Sequence, residues 1–88
     1  SAASDVYKRQ NLDSLHETIL VSANDALVDL FLKKKIKFYD IYEILDKVLR
    51  LNEYKKFKFL KPQNLDQIIK LSENVRLKTI SLSVQSTI

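Results

Sequence analysis

The fold of this chain is decided by the stretch from Leu20 to Ile41, which reads LVSANDALVDLFLKKKIKFYDI. Together with the residues before it, its apolar positions recur at intervals of three and four, which predicts one amphipathic α-helix from Leu12 to about Lys34. The residues Ile36 to Tyr39 favour β-structure and predict a short extended connector. The stretch therefore predicts a helix, a basic connector and the start of a second helix.

The second helix is predicted to span roughly residues 41 to 51. Asp40, followed by Glu43 three positions later, is the pattern of a capping box with Asp40 as the N-cap. The apolar side chains that follow fall on one helical face: Ile41, Ile44, Leu45, Val48 and Leu49. We expect this face, including Leu45, to lie in the core.

The remainder of the chain predicts a basic loop and at least one more helix. Residues 52–63 are rich in lysine and aromatic residues, with alternation that would allow a short edge strand. Asn64 and Gln67 form a second capping pattern before an apolar stripe that begins at Leu65. The polar residues 72–74 interrupt this stripe, which predicts a kink or a new helix, and the tail after Ser81 is predicted to fray. The fold class is therefore all-α, a small bundle of three to four helices.

Composition bounds what the chain can do. Its 88 residues are 45% hydrophobic and 30% charged, with a net charge of +4 and no apolar run long enough to span a bilayer. The absence of cysteine excludes disulfides, thiol catalysis and thiolate metal sites. The absence of glycine excludes the glycine-rich phosphate loops of dinucleotide and nucleotide binders.

The first ten residues are predicted not to be natural protein sequence. Residues 5–10, DVYKRQ, are what the transposon-end adapter string GATGTGTATAAGAGACAG encodes. We therefore expect residues 1–10 to be an adapter-derived or disordered arm and residues 11–88 to form the domain.

The side chains that could take part in catalysis or metal binding are scattered along the sequence. His16 is the only histidine and has no second ligand one turn away, so we interpret it as a surface residue. Asp25 and Asp29 stand one turn apart without a nucleophile or metal partner, which favours solvated helix acids. Two lysine runs interleaved with aromatic residues, 33–39 and 55–59, are the strongest indication of nucleic-acid binding. Because acids nearly balance the bases and no binding motif is present, a solvated surface is the favoured interpretation.

Asn24 is the polar residue that the helix pattern explains least. Asparagine competes with the helical backbone for hydrogen bonds, so one in mid-helix beside Ala23 and Ala26 usually has a specific partner. We predict a close-packing face with a buried polar contact at Asn24. A solvent-exposed asparagine is the equally weighted alternative on physical grounds.

Three stretches, in order and spacing, resemble the C-terminal helical domain of 1-deoxy-D-xylulose 5-phosphate reductoisomerase. The first runs from Ala23 to Ile41 and includes Ala23-Asn24-Asp25, Phe31-Leu32, Ile36, Phe38, Asp40 and Ile41. The second is KPQNLDQII, from Lys61 to Ile69, and the third is Asn74-Val75-Arg76. Val21, Ser22 and Asp25 depart from the family's pattern. The glycine often seen before the I-x-F segment is a lysine here.

The resemblance implies a structural part of an enzyme. The family uses NADPH and a divalent metal, Mg or Mn, to convert its substrate to 2-C-methyl-D-erythritol 4-phosphate in non-mevalonate isoprenoid synthesis. No residue of this chain matches a catalytic, cofactor or metal position, so the chain alone is expected to be inactive. The resemblance assigns structural or docking roles to four residues: Asn24, Phe31, Phe38 and Asp40.

The same resemblance implies the partners and the location. The partners are the upstream catalytic and NADPH-binding domains of the same polypeptide, in a parent that forms a homodimer and works in the bacterial cytoplasm or a plastid-type organelle. Neither a membrane nor a nucleic acid is an expected partner. Two alternatives stay open: a self-standing helical interaction module and, less favoured, a small basic nucleic-acid-binding domain.

Overall fold

The computed structural model describes residues 14–86, so Leu12 and the expected adapter segment 1–10 lie outside the described residues. The described part consists of helices and connections, without a β-strand. Its elements are α1 (Leu15–Leu32), α2 (Phe38–Leu49), the single turn α3 (Asn52–Lys55) and α4 (Leu65–Ser86). The prediction of a small all-α bundle is confirmed, whereas the edge strand allowed near residue 57 is absent from this part of the chain.

The three long helices pack around one core. Ser22 in α1 and Ser72 in α4 are hydrogen-bonded at 2.8 Å, and further along both helices Leu30 and Ile80 line the same groove. These two helices therefore run in the same direction, while α2 returns antiparallel to α1. The buried core is apolar and includes Leu15, Ile19, Leu27, Ile44, Val48 and Val75. Leu45, predicted as core, is only partly buried against it.

The beginning of α1 is fixed by the loop before α4. Ser14 has an extended backbone ahead of the helix, and the Leu15 N–H donates to the Leu60 carbonyl at 2.6 Å. The first N–H groups of a helix have no partner within it, so this bond satisfies one of them from a distant segment. It also ties the end of the basic loop at Leu60 to the start of α1.

The connector between α1 and α2 is shorter than predicted. Phe38 and Tyr39, expected in an extended segment, lie in the first turn of α2. Asp40, expected as the N-cap, is three residues inside the cap Lys37, and its Oδ2 accepts a hydrogen bond from the Lys37 N–H at 2.9 Å. The prediction that Asp40 is the N-cap was therefore wrong. Asp40 is instead the acidic partner in the first turn of the helix, whose side chain accepts a hydrogen bond from the N–H of the N-cap residue.

Helix α4 is continuous where a break was predicted. Asn64 caps it as expected, since its Oδ1 accepts from the Gln67 N–H at 2.8 Å. The polar residues that suggested an interruption instead have partners: Ser72 bonds Ser22, and Asn74 Oδ1 accepts from the Tyr54 hydroxyl at 2.6 Å. Ser72 is half-buried and Asn74 is exposed, so these polar groups interrupt the apolar pattern without interrupting the helix. The polar segment is thus an interhelical contact and not a helix end.

The C-terminal tail, predicted to fray, is helical as far as Ser86. Thr79 and Ser83 face the core, where their hydroxyls donate to the Val75 and Ile80 carbonyls at 2.7 and 2.6 Å. A hydroxyl bonded to its own helix can be buried without losing a hydrogen bond. None of the helices of residues 14–86 combines the length and the apolar character that crossing a bilayer requires.

Candidate docking surface

The outer face of α1 carries apolar side chains that the domain does not bury. Leu20, Val28 and Leu32 are exposed, Leu32 to 72% of its surface, and Asn24 lies among them, also exposed. Residues four apart lie one above another on a helix. We call these four residues the α1 stripe. Leu20 and Val28 are 38% and 39% exposed, so the row is a candidate contact surface whose most open member is Leu32.

The structure separates Asn24 from the alanines with which it was grouped. Ala23 and Ala26 are buried in the domain's own core, whereas Asn24 is on the opposite side of α1. The predicted close-packing face that combined them is therefore wrong within this domain, because successive helical residues are rotated by about 100°. The buried contact predicted for Asn24 is not made among residues 14–86, and its docking role stays a prediction.

The stripe leads into the hinge between α1 and α2. Lys34 lies in the left-handed region with φ of 61°, its N–H donates to the Phe31 carbonyl at 3.0 Å, and the Lys35 N–H donates to the Leu30 carbonyl at 2.9 Å. These two bonds are those of a Schellman motif, the common way to end a helix. The motif stops α1 after Leu32 and turns the chain toward α2.

Three of the four predicted docking residues meet at this hinge. The rings of Phe31 and Phe38 are in edge-to-face contact, with centroids 5.7 Å apart. Phe38 nevertheless keeps 65% of its surface exposed. Asp40 lines the same shallow groove as Phe31 and the hinge lysines, which we call the hinge groove. Asn24 lies seven residues before Phe31, two turns away on the same side of α1.

Other exposed apolar groups were missed by the sequence reasoning. Tyr39 and Tyr42 project from the first turns of α2, and Leu77, Ile80 and Val84 project from α4. A hydrogen bond to the Glu43 side chain, and the negative charge of that side chain, raise the pKa of Tyr39. For the α4 residues, the sequence did carry a signal of an apolar surface: Lys78 is the single charged residue between positions 77 and 86.

The basic loop places its lysines beside its own aromatic rings. The ammonium groups of Lys56 and Lys58 lie over the rings of Phe57 and Phe59, at 5.2 and 5.6 Å from the centroids. Each cation makes a cation–π contact with one face of its neighbouring ring, and Phe59 remains 86% exposed. Tyr54 is buried beside this loop, and burial, with a smaller contribution from the charge of Glu53, raises its pKa to about 12.

The groups considered for catalysis do not converge. His16 lines a small groove with Leu49 and Arg50, Asp25 is exposed, and Asp29 is paired with Lys33 at 3.0 Å. Among residues 14–86 there is no group of three or more His, Cys, Asp or Glu side chains that would hold a metal ion. The surface just described is therefore suited to recognition through apolar contact and charge.

Comparison with known proteins bears on what this surface is for. Residues 3–78 match a family model described as the DXP reductoisomerase C-terminal domain. The matched range includes part of the segment attributed to an adapter, and that attribution stays a prediction.

Curated relatives agree with the family model. The chain is similar to 1-deoxy-D-xylulose 5-phosphate reductoisomerases from Pelagibacter ubique, 55% identical over 84% of this chain and 19% of the relative, and from Proteus mirabilis, 35% identical over 77% and 16%. A Clostridium botulinum relative of the same name is 36% identical over 86% and 19%. The chain thus spans about a fifth of the length of these relatives. No solved structure matches it.

Proposed function

Because the chain belongs to the 1-deoxy-D-xylulose 5-phosphate reductoisomerase family and matches its C-terminal domain, we propose that it is the C-terminal structural domain of such an enzyme. The complete polypeptide reduces and rearranges 1-deoxy-D-xylulose 5-phosphate to 2-C-methyl-D-erythritol 4-phosphate with NADPH and a divalent metal. The domain packs against the catalytic domain and braces it, and it takes no part in the chemistry by itself.

The observation that carries the bracing role is the α1 stripe. An isolated domain gains nothing from keeping Leu32 and Phe38 largely exposed at one end, since each buried apolar side chain stabilises by about 1.5–3 kcal/mol relative to an exposed one. A partner surface that covers the stripe and the hinge would recover that free energy. Asn24, in the middle of the stripe, would supply one polar group that fixes the register of the contact.

The residues described here do not fit the cofactors of the proposed enzyme. Positions 14–86 offer no metal cluster, and the sequence has no glycine from which a dinucleotide-binding turn would be built. The described residues therefore supply no catalytic or cofactor-binding group of their own. NADPH and the Mg or Mn ion would be held by the upstream domains of the same polypeptide.

The proposed partners follow from the family. They are the upstream catalytic and NADPH-binding domains, in a parent that forms a homodimer and works in the cytoplasm of a bacterium or in a plastid-type organelle. A self-standing interaction module would use the same apolar surface, and a gene that continues upstream into a nucleotide-binding fold would distinguish the two. The nucleic-acid alternative predicts strongly salt-dependent binding, which a titration at two salt concentrations would reveal.

The first prediction tests the docking role of Asn24. In the full-length enzyme, Asn24→Leu should lower thermal stability and with it activity, because burying the interface without its amide leaves the partner group unsatisfied at a cost of about 1–3 kcal/mol. The same substitution in the 88-residue chain should leave helicity nearly unchanged, since Asn24 is exposed there. The measurements are the melting temperature and the turnover of the full-length protein, with far-UV circular dichroism of the short chain.

Asp25→Leu is the matched control. It introduces the same side chain at the neighbouring exposed position, about 100° further round the helix, and should leave the full-length enzyme close to wild type. If full-length Asn24→Leu melts and turns over like wild type, Asn24 faces solvent in the complete enzyme and the docking role is wrong.

A further inference from the structure

A second groove lies between the end of α1 and the C-terminal half of α4. Its lining residues are Leu30, Lys35, Ile80, Ser83 and Val84. The Ser83 hydroxyl donates to the Ile80 carbonyl at 2.6 Å, so that donor is already used within the helix. The groove therefore presents aliphatic walls and one charged side chain, Lys35. We call it the α1–α4 groove.

The groove belongs to an apolar face of α4 that points away from the domain's core. Leu77, Ile80 and Val84 follow at intervals of three and four, and they are 70%, 41% and 57% exposed. The one charged residue near them, Lys78, is paired with Glu53 at 3.1 Å. A helix that is apolar on more than one side is normally buried on more than one side. Much of this apolar surface therefore remains open to a further apolar contact.

The charged side chains around the α1–α4 groove indicate what kind of surface would bind there. Lys35 lines both the α1–α4 groove and the hinge groove, where Lys34 and Lys37 stand beside it. Lys35 is exposed, and the ion pairs of the described residues do not include it. A complementary surface would place a carboxylate here, since like charges would be repelled and unpaired polar groups desolvated. The expected occupant is apolar with an acidic rim.

The size of the parent polypeptide indicates where the occupant comes from. This chain spans 19% of the Pelagibacter relative, so about four-fifths of such a polypeptide lies outside it. A covalently attached partner meets the groove at an effective concentration of order millimolar for a short flexible link. A separate protein or a second copy has no such advantage.

We propose that the α1–α4 groove binds a segment from the part of the same polypeptide that precedes this domain. The segment inserts an apolar side chain between Ile80 and Val84 and places an Asp or Glu opposite Lys35. The inference rests on the proposed function, and it names a contact separate from the α1 stripe. The domain is then held on two faces, one given by α1 and one by α4.

Site-specific photo-cross-linking in the full-length protein tests the occupant. p-Benzoylphenylalanine in place of Ile80 should give an intramolecular cross-link to an upstream peptide that contains Asp or Glu, identified by mass spectrometry. The same probe in place of Ser81, an exposed neighbour outside the groove, is the matched control and should give little product. A cross-link from position 80 to a second copy, or a yield no higher than from position 81, would overturn the proposal.

A charge reversal tests the role of Lys35. With the probe at position 80, Lys35→Glu should reduce the intramolecular yield severalfold, whereas Lys61→Glu, an equal charge change in the basic loop, should not. An equal reduction by both variants would mean that net charge matters and Lys35 does not, and would remove the carboxylate from the proposal. These experiments can disprove the α1–α4 groove proposal without disproving the proposed function, and the reverse. The Asn24 variants report on the α1 stripe, whereas the probe at position 80 reports on α4.

Discussion

Lys34 shows how a single residue can be both necessary for the fold and unfavourable in its conformation. It occupies the left-handed position of the Schellman motif that ends α1, where glycine is usual because a Cβ crowds the backbone. The resemblance noted in the sequence includes a glycine before the I-x-F segment that is a lysine here. The structure gives that departure a physical meaning, since Lys34 keeps the turn at a cost in strain.

Replacing Lys34 with glycine should therefore stabilise the chain. Glycine would relieve about 1–2 kcal/mol of strain in the left-handed conformation. Its greater freedom in the unfolded state would lower the free energy of unfolding by roughly 0.5–1 kcal/mol, which is less than the gain. We expect Lys34→Gly to raise the free energy of unfolding in urea by about 0.5–1 kcal/mol. Lys35→Gly, at a position outside the left-handed region, should give no gain, and equal gains from both would contradict the explanation.

Tyr54 provides a prediction about pH. Burial raises its pKa from 10.0 to about 12, so the folded state retains the phenol proton where the unfolded state loses it. The stability that this contributes is fully present below pH 10 and is lost as the pH rises from about 10 to about 12. Urea unfolding across this range should show a steeper loss for wild type than for Tyr54→Phe.

The Tyr54→Phe variant also serves as the reference for the other groups that titrate in this range. It should be less stable than wild type at pH 7, because Asn74 loses a hydroxyl donor at 2.6 Å. Parallel pH profiles for the two proteins would mean that Tyr54 titrates normally and is not desolvated.

At the scale of the element, α2 shows which part of an amphipathic pattern becomes core. Its five apolar positions were predicted to share one buried face, but Ile44 and Val48 are fully buried while Leu45 is only partly so. The centre of the stripe faces α1 and α4, and its edge lies at the boundary with solvent. A stripe wider than the contact it makes necessarily has such an edge.

Ile44→Ala should therefore cost more than Leu45→Ala. Removing a fully buried aliphatic side chain costs about 2–5 kcal/mol, a large part of the roughly 5–15 kcal/mol by which domains are stable. We expect the partly buried Leu45 to lose distinctly less in the same urea titration. Equal losses at the two positions would show that the boundary of the core has been misplaced.

The continuity of α4 belongs to the same scale. Ser72 and Asn74 looked like a break because polar side chains often mark helix ends, yet each bonds to a residue brought near by the fold, Ser22 and Tyr54. The partners are 50 and 20 residues away along the chain. No local pattern could have indicated them.

At the scale of the whole molecule, the described residues form a small bundle with uncovered faces. We predict that the purified chain, incubated with NADPH, a divalent metal and 1-deoxy-D-xylulose 5-phosphate, shows no NADPH oxidation above the blank. The reason is that residues 14–86 bring no group of potential ligands or acid-base residues together. The full-length polypeptide in the same absorbance assay is the positive control. Oxidation that requires both the chain and the sugar phosphate would contradict the prediction.

The four residues predicted to dock, whose role stays a prediction, show how local geometry can be read from the sequence. Phe31 and Phe38 are in contact and Asp40 lines the adjoining hinge groove, because a short connector follows the end of α1. Asn24 was placed on the wrong side of α1 relative to Ala23 and Ala26. Composition alone cannot tell which side of a helix with apolar residues on several faces will be covered.

The sequence by itself determined the helical class, a basic hinge between the first two long helices and the cap at Asn64, because these depend on periodicity and on hydrogen bonds between residues a few positions apart. Only the tertiary structure decided that α4 runs unbroken to Ser86 and that Leu45 lies at the edge of the core. Those outcomes depend on contacts between segments distant in the chain. Packing a helix face is worth more than local propensity, so such contacts override the local signals.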